Sequence, residues 1–258
     1  MSILKRSGLS TISRAGCKKL VNENKSLQKC GFIQKNRYRK AFGKIVMTKI
    51  ILVRHGESLG NAVHRLLGHT NLDLSELGYL QSECTASALA QEKIDAVYSS
   101  DLLRAYNTAL PHAKMRGLEV TPRQSLREIN IGDWDGMLVS EVKEKYGDMY
   151  ERDWIGDYGN FRFPGGESTV EAGERFYLET KKIAKENEGK TILIAAHAAV
   201  IRSFFAKVLE IFPSEIAKKL PFPTNASFSE VFFDGERFRP GRFSVDAHLA
   251  DIGVTKFE

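Results

Sequence analysis

Cysteine, proline and long apolar runs are all scarce in this 258-residue chain. The three cysteines, Cys17, Cys30 and Cys84, are odd in number and widely spaced, which argues against a disulfide framework or a cysteine-built structural zinc site. That usage fits a reducing compartment. No apolar stretch approaches the roughly 20 residues that span a bilayer. The longest clean runs, residues 50–53 and 192–196, have the length of buried strands. Acid is nearly missing from residues 1–46, which hold twelve Lys/Arg and one carboxylate, Glu23. The formal charge of +6 is therefore misleading, because the remainder has 26 basic and 31 acidic residues and a net charge of −5.

The basic leader, residues 1–46, stands apart from the rest, and Met47 directly precedes the first clear strand. Three readings of it compete with a plain solvated tail: an Arg/Ser-rich transit peptide, a basic arm, or translated sequence upstream of a start at Met47. Residues 47–258 are expected to form a single globular domain, since a hydrophobic content of 42% supports one sizeable core.

From Lys49 onward short apolar strands alternate with amphipathic helices, the pattern of a sheet covered on both faces. Strands are expected at 50–53, 94–98 and 192–196. A helix over 76–90 follows the N-cap candidate Ser75, with Leu77, Leu80, Cys84 and Ala88 as its apolar stripe. Another follows Ser100 and ends near Pro111. Ser168 and Glu171 form a capping box ahead of a long helix whose inner face is read as Val170, Gly173, Phe176, Tyr177, Ile183 and Ala184. A further helix starts near His197. The Asp234-Gly235 pair predicts a two-residue hairpin between 228–233 and 237–243, an antiparallel edge to the sheet.

Open α/β sheets bind ligands beyond the carboxyl ends of their strands. Two strands here end in histidine, at Arg54-His55 and at His197, and a third leads through Asp101 to Arg104 on a first helical turn. Together they offer two guanidiniums, two imidazoles and helix N-terminal N–H groups, a set suited to a phosphate dianion without a metal. One histidine is then free to attack phosphorus.

The string Arg54-His55-Gly56-Glu57-Ser58 resembles the signature of the histidine phosphatase superfamily, which includes the cofactor-dependent phosphoglycerate mutases. Asn61, six positions after His55, matches a phosphate-binding asparagine of that family. The run from Ser99 to Ala105 is similar to the motif that carries the second arginine, here Arg104. Residues 126–136 resemble the segment supplying the acid, here Glu128, and His197 takes the place of the second histidine. The resemblance implies a three-layer α/β/α sandwich with a mostly parallel mixed sheet. It also implies a phosphohistidine intermediate on His55, phosphate contacts from Arg54, Asn61, Arg104, His197 and the Ala198 region, and Glu128 as the proton donor. One departure stands out: Ala196-His197-Ala198-Ala199 replaces the usual Ser-His-Gly-Gly.

Glu57 is read either as an orienting or as a structural residue, and Asp133 and Asp135 as turn residues around Trp134. His64 and His69 are expected to border the entrance rather than bind metal. Trp154, Phe161, Arg162 and Phe163 belong either to a lid or to the core. Only residues 137–163 fill the space where the mutases carry a sizeable insertion, so water should reach the phosphoenzyme and hydrolysis should win. The expected activity is a phosphatase of small phosphorylated metabolites, with a mutase or a weakly active phospho-ligand scaffold as alternatives. No cofactor, metal or membrane is expected, nor nucleic acid for the catalytic domain, a homodimer stays open, and residence is cytoplasmic unless the leader directs the chain to an organelle.

Overall fold

A computed structural model of the chain describes residues 46–253. The leader, Cys17 and Cys30 lie outside the described residues. A six-stranded sheet has the order β3-β2-β4-β1-β5-β6, with β1 (Thr48–Arg54), β2 (Ala96–Ser100), β3 (Val120–Arg123), β4 (Thr191–Ala196), β5 (Phe228–Phe233) and β6 (Phe238–Pro240). The first four are mutually parallel, and β5 and β6 add an antiparallel edge.

The unbroken run Ile50-Ile51-Leu52-Val53 makes sense at the centre of this sheet, where both faces are covered. Its side chains alternate between two cores. Ile50, Leu52, Ile192 and Ile194 join Phe176, Ile183, Val200 and Phe204 of helices α4 (Thr169–Glu186) and α5 (Ala198–Val208). Ile51, Val53, Leu193 and Ala195 face the opposite layer, with Leu89 after helix α1 (Glu76–Ala88) and Ala109 and Ala113 of α2 (Leu103–Lys114). The architecture is the three-layer α/β/α sandwich with a mostly parallel mixed sheet.

Several local expectations need correction. Pro111 lies inside α2 rather than at its end, because His112 and Ala113 continue the buried face beyond it. Helix α1 turns Gly78, Gln81, Ser82 and Thr85 inward and leaves Ala88 exposed. Those polar groups bond to neighbouring loops, which outweighs the apolar stripe: the Glu57 N–H donates to Gln81 Oε1 at 2.8 Å and Thr85 Oγ1 donates to the Ala226 carbonyl at 2.8 Å. Val170 is likewise exposed, with Thr169 and Ala172 buried in its stead. The terminal turn centres one residue later than expected, since the Asp234 N–H donates to Arg237 O and Phe233 pairs with Phe238. Strand β3 was not anticipated: it is four residues long and contains Pro122, which an edge position tolerates.

Residues 137–163 are more regular than expected. Helix α3 (Val139–Asp148) runs, past a break at Gly147, into a π-helix over Met149–Ile155. Val142, Tyr146, Met149 and Tyr150 carry the helical spacing that betrays it.

Candidate active site

Strand pairing brings the two histidines together. β1 and β4 run parallel in a register that sets Arg54 opposite Ala196, so the next residue of each strand lands at the same level. The His55 N–H donates to the Ala196 carbonyl at 2.9 Å, and the rings of His55 and His197 stand 5.2 Å apart, edge to face. Arg104 arrives from α2, which follows β2, the other neighbour of β4. Glu128 comes from the connection after β3.

Each group is buried, and all but the His197 ring are held mainly by backbone. Nδ1 of His55 lies 2.7 Å from the Gly56 carbonyl. A carbonyl can only accept, so Nδ1 carries the proton and Nε2 carries the lone pair. Burial, with Arg104 and Arg54 beside it, pushes the His55 imidazole well below its usual value. Burial, then Arg104 and His55, does the same to His197. Both rings are neutral at pH 7. The two ring nitrogens of His197 are buried without a hydrogen-bond partner among the described residues.

Arg54 donates Nη1 to the Pro223 carbonyl at 2.6 Å. Arg104 donates Nη1 to Thr70 O and Nη2 to Gly68 O, each at 2.8 Å. Burial lowers both guanidiniums to about 10, with the Glu128 carboxylate opposing the shift, so both stay cationic at neutral pH. Asn61 Oδ1 accepts from the Ser58 N–H and from Asn225 Nδ2, which leaves its own Nδ2 to meet a ligand. The Glu128 carboxylate accepts from the N–H groups of Ile129, Ala199 and Val200, the last two at the first turn of α5. The Ala198 N–H makes none of these bonds.

Arg54, His55, Asn61, Glu128, Ala198 and Ala199 line one end of a cavity of about 350 Å³. His197 and Arg104, 0% and 1% exposed, sit behind that end rather than on its wall. The remaining lining is largely apolar, with Ile131, Trp154 and Phe163 prominent. Trp154, Phe161 and Phe163 are core residues, and Trp154 and Phe163 also line the cavity, whereas Arg162 is exposed and pairs with Glu171. His64 is exposed, and His69 bonds the Glu128 carbonyl at 3.0 Å. Glu57 accepts from Ser75 Oγ, the N-cap of α1, and so ties the His55 loop to that helix. Gly56 permits the close approach: a methyl there would lie 2.4 Å from the Gly78 carbonyl.

Three positioning residues escaped the sequence reading. Asp135, taken for a turn residue, accepts from the N–H groups of Gly68, His69 and Thr70 and so fixes the loop whose carbonyls hold Arg104. Arg175 of α4 donates to the carbonyls of Ser125, Arg127 and Glu128 and thereby sets the backbone under the acid. Asn225 and the Ala226 N–H both donate to the His55 carbonyl, at 3.1 Å each. Ala226 adopts a φ of 55°, a strained value for a residue with a side chain. The antiparallel pairing of β5 with β1 explains the meeting, because the residues entering β5 lie beside those leaving β1. Motif spacing carries no signal for such long-range contacts.

Comparison with known proteins gives a consistent result. The family model for the histidine phosphatase superfamily (branch 1) matches residues 50–246. Phosphoserine phosphatase 1 of Hydrogenobacter thermophilus is 34% identical over 209 residues, which cover 81% of this chain and 97% of that protein. The metal-independent phosphoserine phosphatase of Arabidopsis thaliana is 32% identical over 210 residues, 80% of this chain and 85% of its own length. Among solved structures, a mycobacterial glucosyl-3-phosphoglycerate phosphatase in complex with VO3 superposes with a TM-score of 0.71 at 28% identity, covering 77% of this chain and 99% of that one.

Proposed function

This chain belongs to the histidine phosphatase superfamily, and from that premise we propose that it is a metal-independent phosphohydrolase of small phosphomonoesters that works through a phosphohistidine on His55. The observation that carries the reading is a neutral imidazole with its Nε2 lone pair free, 5.2 Å from a second imidazole and flanked by two buried guanidiniums. Nε2 attacks phosphorus in line while Arg54 and Asn61 on the wall, backed by Arg104 and His197 directly behind it, take up the charge on the equatorial oxygens. The P–O bond to the leaving alcohol breaks, and Glu128, entering this half-reaction as the carboxylic acid, gives that oxygen its proton and becomes the carboxylate. Water then attacks phosphorus as Glu128 takes one of its protons, and the P–N bond breaks with its electron pair returning to Nε2 of His55 as phosphate is released.

The same proposal includes a catalytic body from residue 47, a separate leader and a small phosphorylated metabolite as the partner. Release of phosphate from p-nitrophenyl phosphate in EDTA tests it. Steady turnover that disappears in His55→Ala, with an acid-labile phosphoryl label on the wild type, supports the reading. Turnover unaffected by His55→Ala refutes it, and tight phosphate binding with no turnover by the wild type returns the scaffold alternative. Rapid, 2,3-bisphosphoglycerate-dependent interconversion of monophosphoglycerates with little free phosphate returns the mutase.

A further inference from the structure

Beyond its phosphate end the cavity is largely apolar, Tyr150 and Arg202 being its polar lining residues there. Leu66, Leu67, Ile129, Ile131, Trp154 and Phe163 line it, and Ala198 and Ala199 add methyl groups beside the phosphate-binding end. Its charged lining side chains are Arg54, Glu128 and Arg202. Arg54 belongs to the phosphate end, and the Glu128 carboxylate already accepts three backbone N–H bonds. Arg202 donates Nε to the Leu220 carbonyl at 2.7 Å and Nη2 to that of Ile216 at 3.2 Å. Its guanidinium lies 4.3 Å from the Tyr158 ring centre and 4.1 Å from that of Phe222. Arg202 thus clasps the segment that carries Pro221 and Phe222 onto the cavity.

We propose that the leaving group this site prefers is an uncharged apolar alcohol or phenol, so that aryl and alkyl phosphates outrun phosphoserine and phosphoglycerates. The inference rests on the phosphohydrolase reading and parts from the substrates named for the relatives above. A seryl leaving group brings an ammonium and a carboxylate; the wall supplies no idle acid for the first and, for the second, only the Arg202 guanidinium, whose Nε and Nη2 are already taken by backbone carbonyls. Burying either without a partner is strongly unfavourable. A hydrocarbon body loses nothing there and gains from each methylene removed from water.

The test uses the full chain and substrates that all leave as primary alcohols, which keeps intrinsic reactivity closely matched: ethyl, butyl, hexyl and 2-phenylethyl phosphate, O-phosphoserine and 3-phosphoglycerate. We expect kcat/KM to climb about fourfold per added methylene, the 0.8 kcal/mol of a buried CH₂ converted at 1.36 kcal/mol per decade. 2-Phenylethyl phosphate should exceed O-phosphoserine by at least about a hundredfold. A flat alkyl series, or either charged substrate equalling 2-phenylethyl phosphate, overturns the proposal while leaving the phosphatase intact. Failure to hydrolyse p-nitrophenyl phosphate sinks the parent reading, and this one with it. Ile155, 44% exposed on the cavity lining, offers a second arm. Ile155→Arg should raise the ratio of 3-phosphoglycerate to hexyl phosphate turnover about tenfold, and an unchanged ratio refutes the assignment of this wall to the leaving group.

Discussion

At one end of the cavity, charged and ionisable groups gather, and Arg54, His55, Arg104 and Glu128 are fixed there by backbone carbonyls or N–H groups. At the other, aromatic rings contributed by residues 134–163 pack on one another: Trp134 lies 5.3 Å from Phe163, and Phe163 lies 4.8 Å from both Trp154 and Phe161. The first end draws its rigidity from directional bonds and the second from close packing. Damage at the phosphate end should therefore appear in the kinetics with the fold intact, and damage at the wall should appear in stability.

The widest separation is expected from His55→Ala, which should lower phosphate release by about 10⁴-fold or more while leaving the unfolding midpoint within a degree or two. A comparable loss of stability would break the contrast. Next comes Phe163→Ala on the wall, which should cost about 3–5 kcal/mol in urea unfolding, because the ring is 2% exposed and surrounded by other rings. A shift under 1 kcal/mol would mean that the wall repacks freely. Asp135→Ala probes the phosphate end indirectly. Losing three N–H bonds should release the Gly68–Thr70 carbonyls that hold Arg104 and weaken competitive inhibition by inorganic phosphate about tenfold or more, with His55 still forming its labelled intermediate.

The smallest effect is the pH dependence of stability. His55, His197 and His248 have folded values below the unbound 6.5, and His112 is pushed down to about 3 by burial and then by Arg116 and His248. Between those values and 6.5 the unfolded chain binds more protons than the folded one. Stability is therefore full above about pH 6.5 and declines as pH falls below it, by up to about 1.4 kcal/mol per pH unit for each buried histidine. Depressed carboxylates such as Glu167 and Glu230 act in a separate window, below about 4.5. Urea unfolding at pH 7.5 and 5.5 checks this. His55 and His197 belong to the phosphate end, so millimolar phosphate should recover part of the loss at pH 5.5, and no recovery would detach them from the anion site.

The same division governs what could be read before the fold was known. Arg54, His55, Arg104 and His197 were legible because each sits where an apolar run or a helix start meets a polar residue, and that junction is a local pattern. The central strands were legible for the same reason. Polar residues that face inward defeated the apolar-stripe rule on α1, where Gln81 and Thr85 serve loops distant in sequence. Asn225, Asp135 and Arg175 were hidden because their partners lie 170, 67 and 47 positions away. Whether Trp154 and Phe163 were lid or core had no local answer; the structure puts them in the core, where they line the cavity.

The order of residues alone determined the alternation of strands and helices, the charge contrast between leader and body, and the identity of the groups able to hold a phosphate, because these depend on neighbours within one or two turns. Register decided the rest. Parallel pairing of β1 with β4 set two imidazoles face to edge, antiparallel entry of β5 brought an asparagine to the His55 carbonyl, and the packing of aromatic rings gave the cavity an oily wall. Such contacts depend on which segments share a surface after the chain has closed over long distances, and no local spacing encodes that.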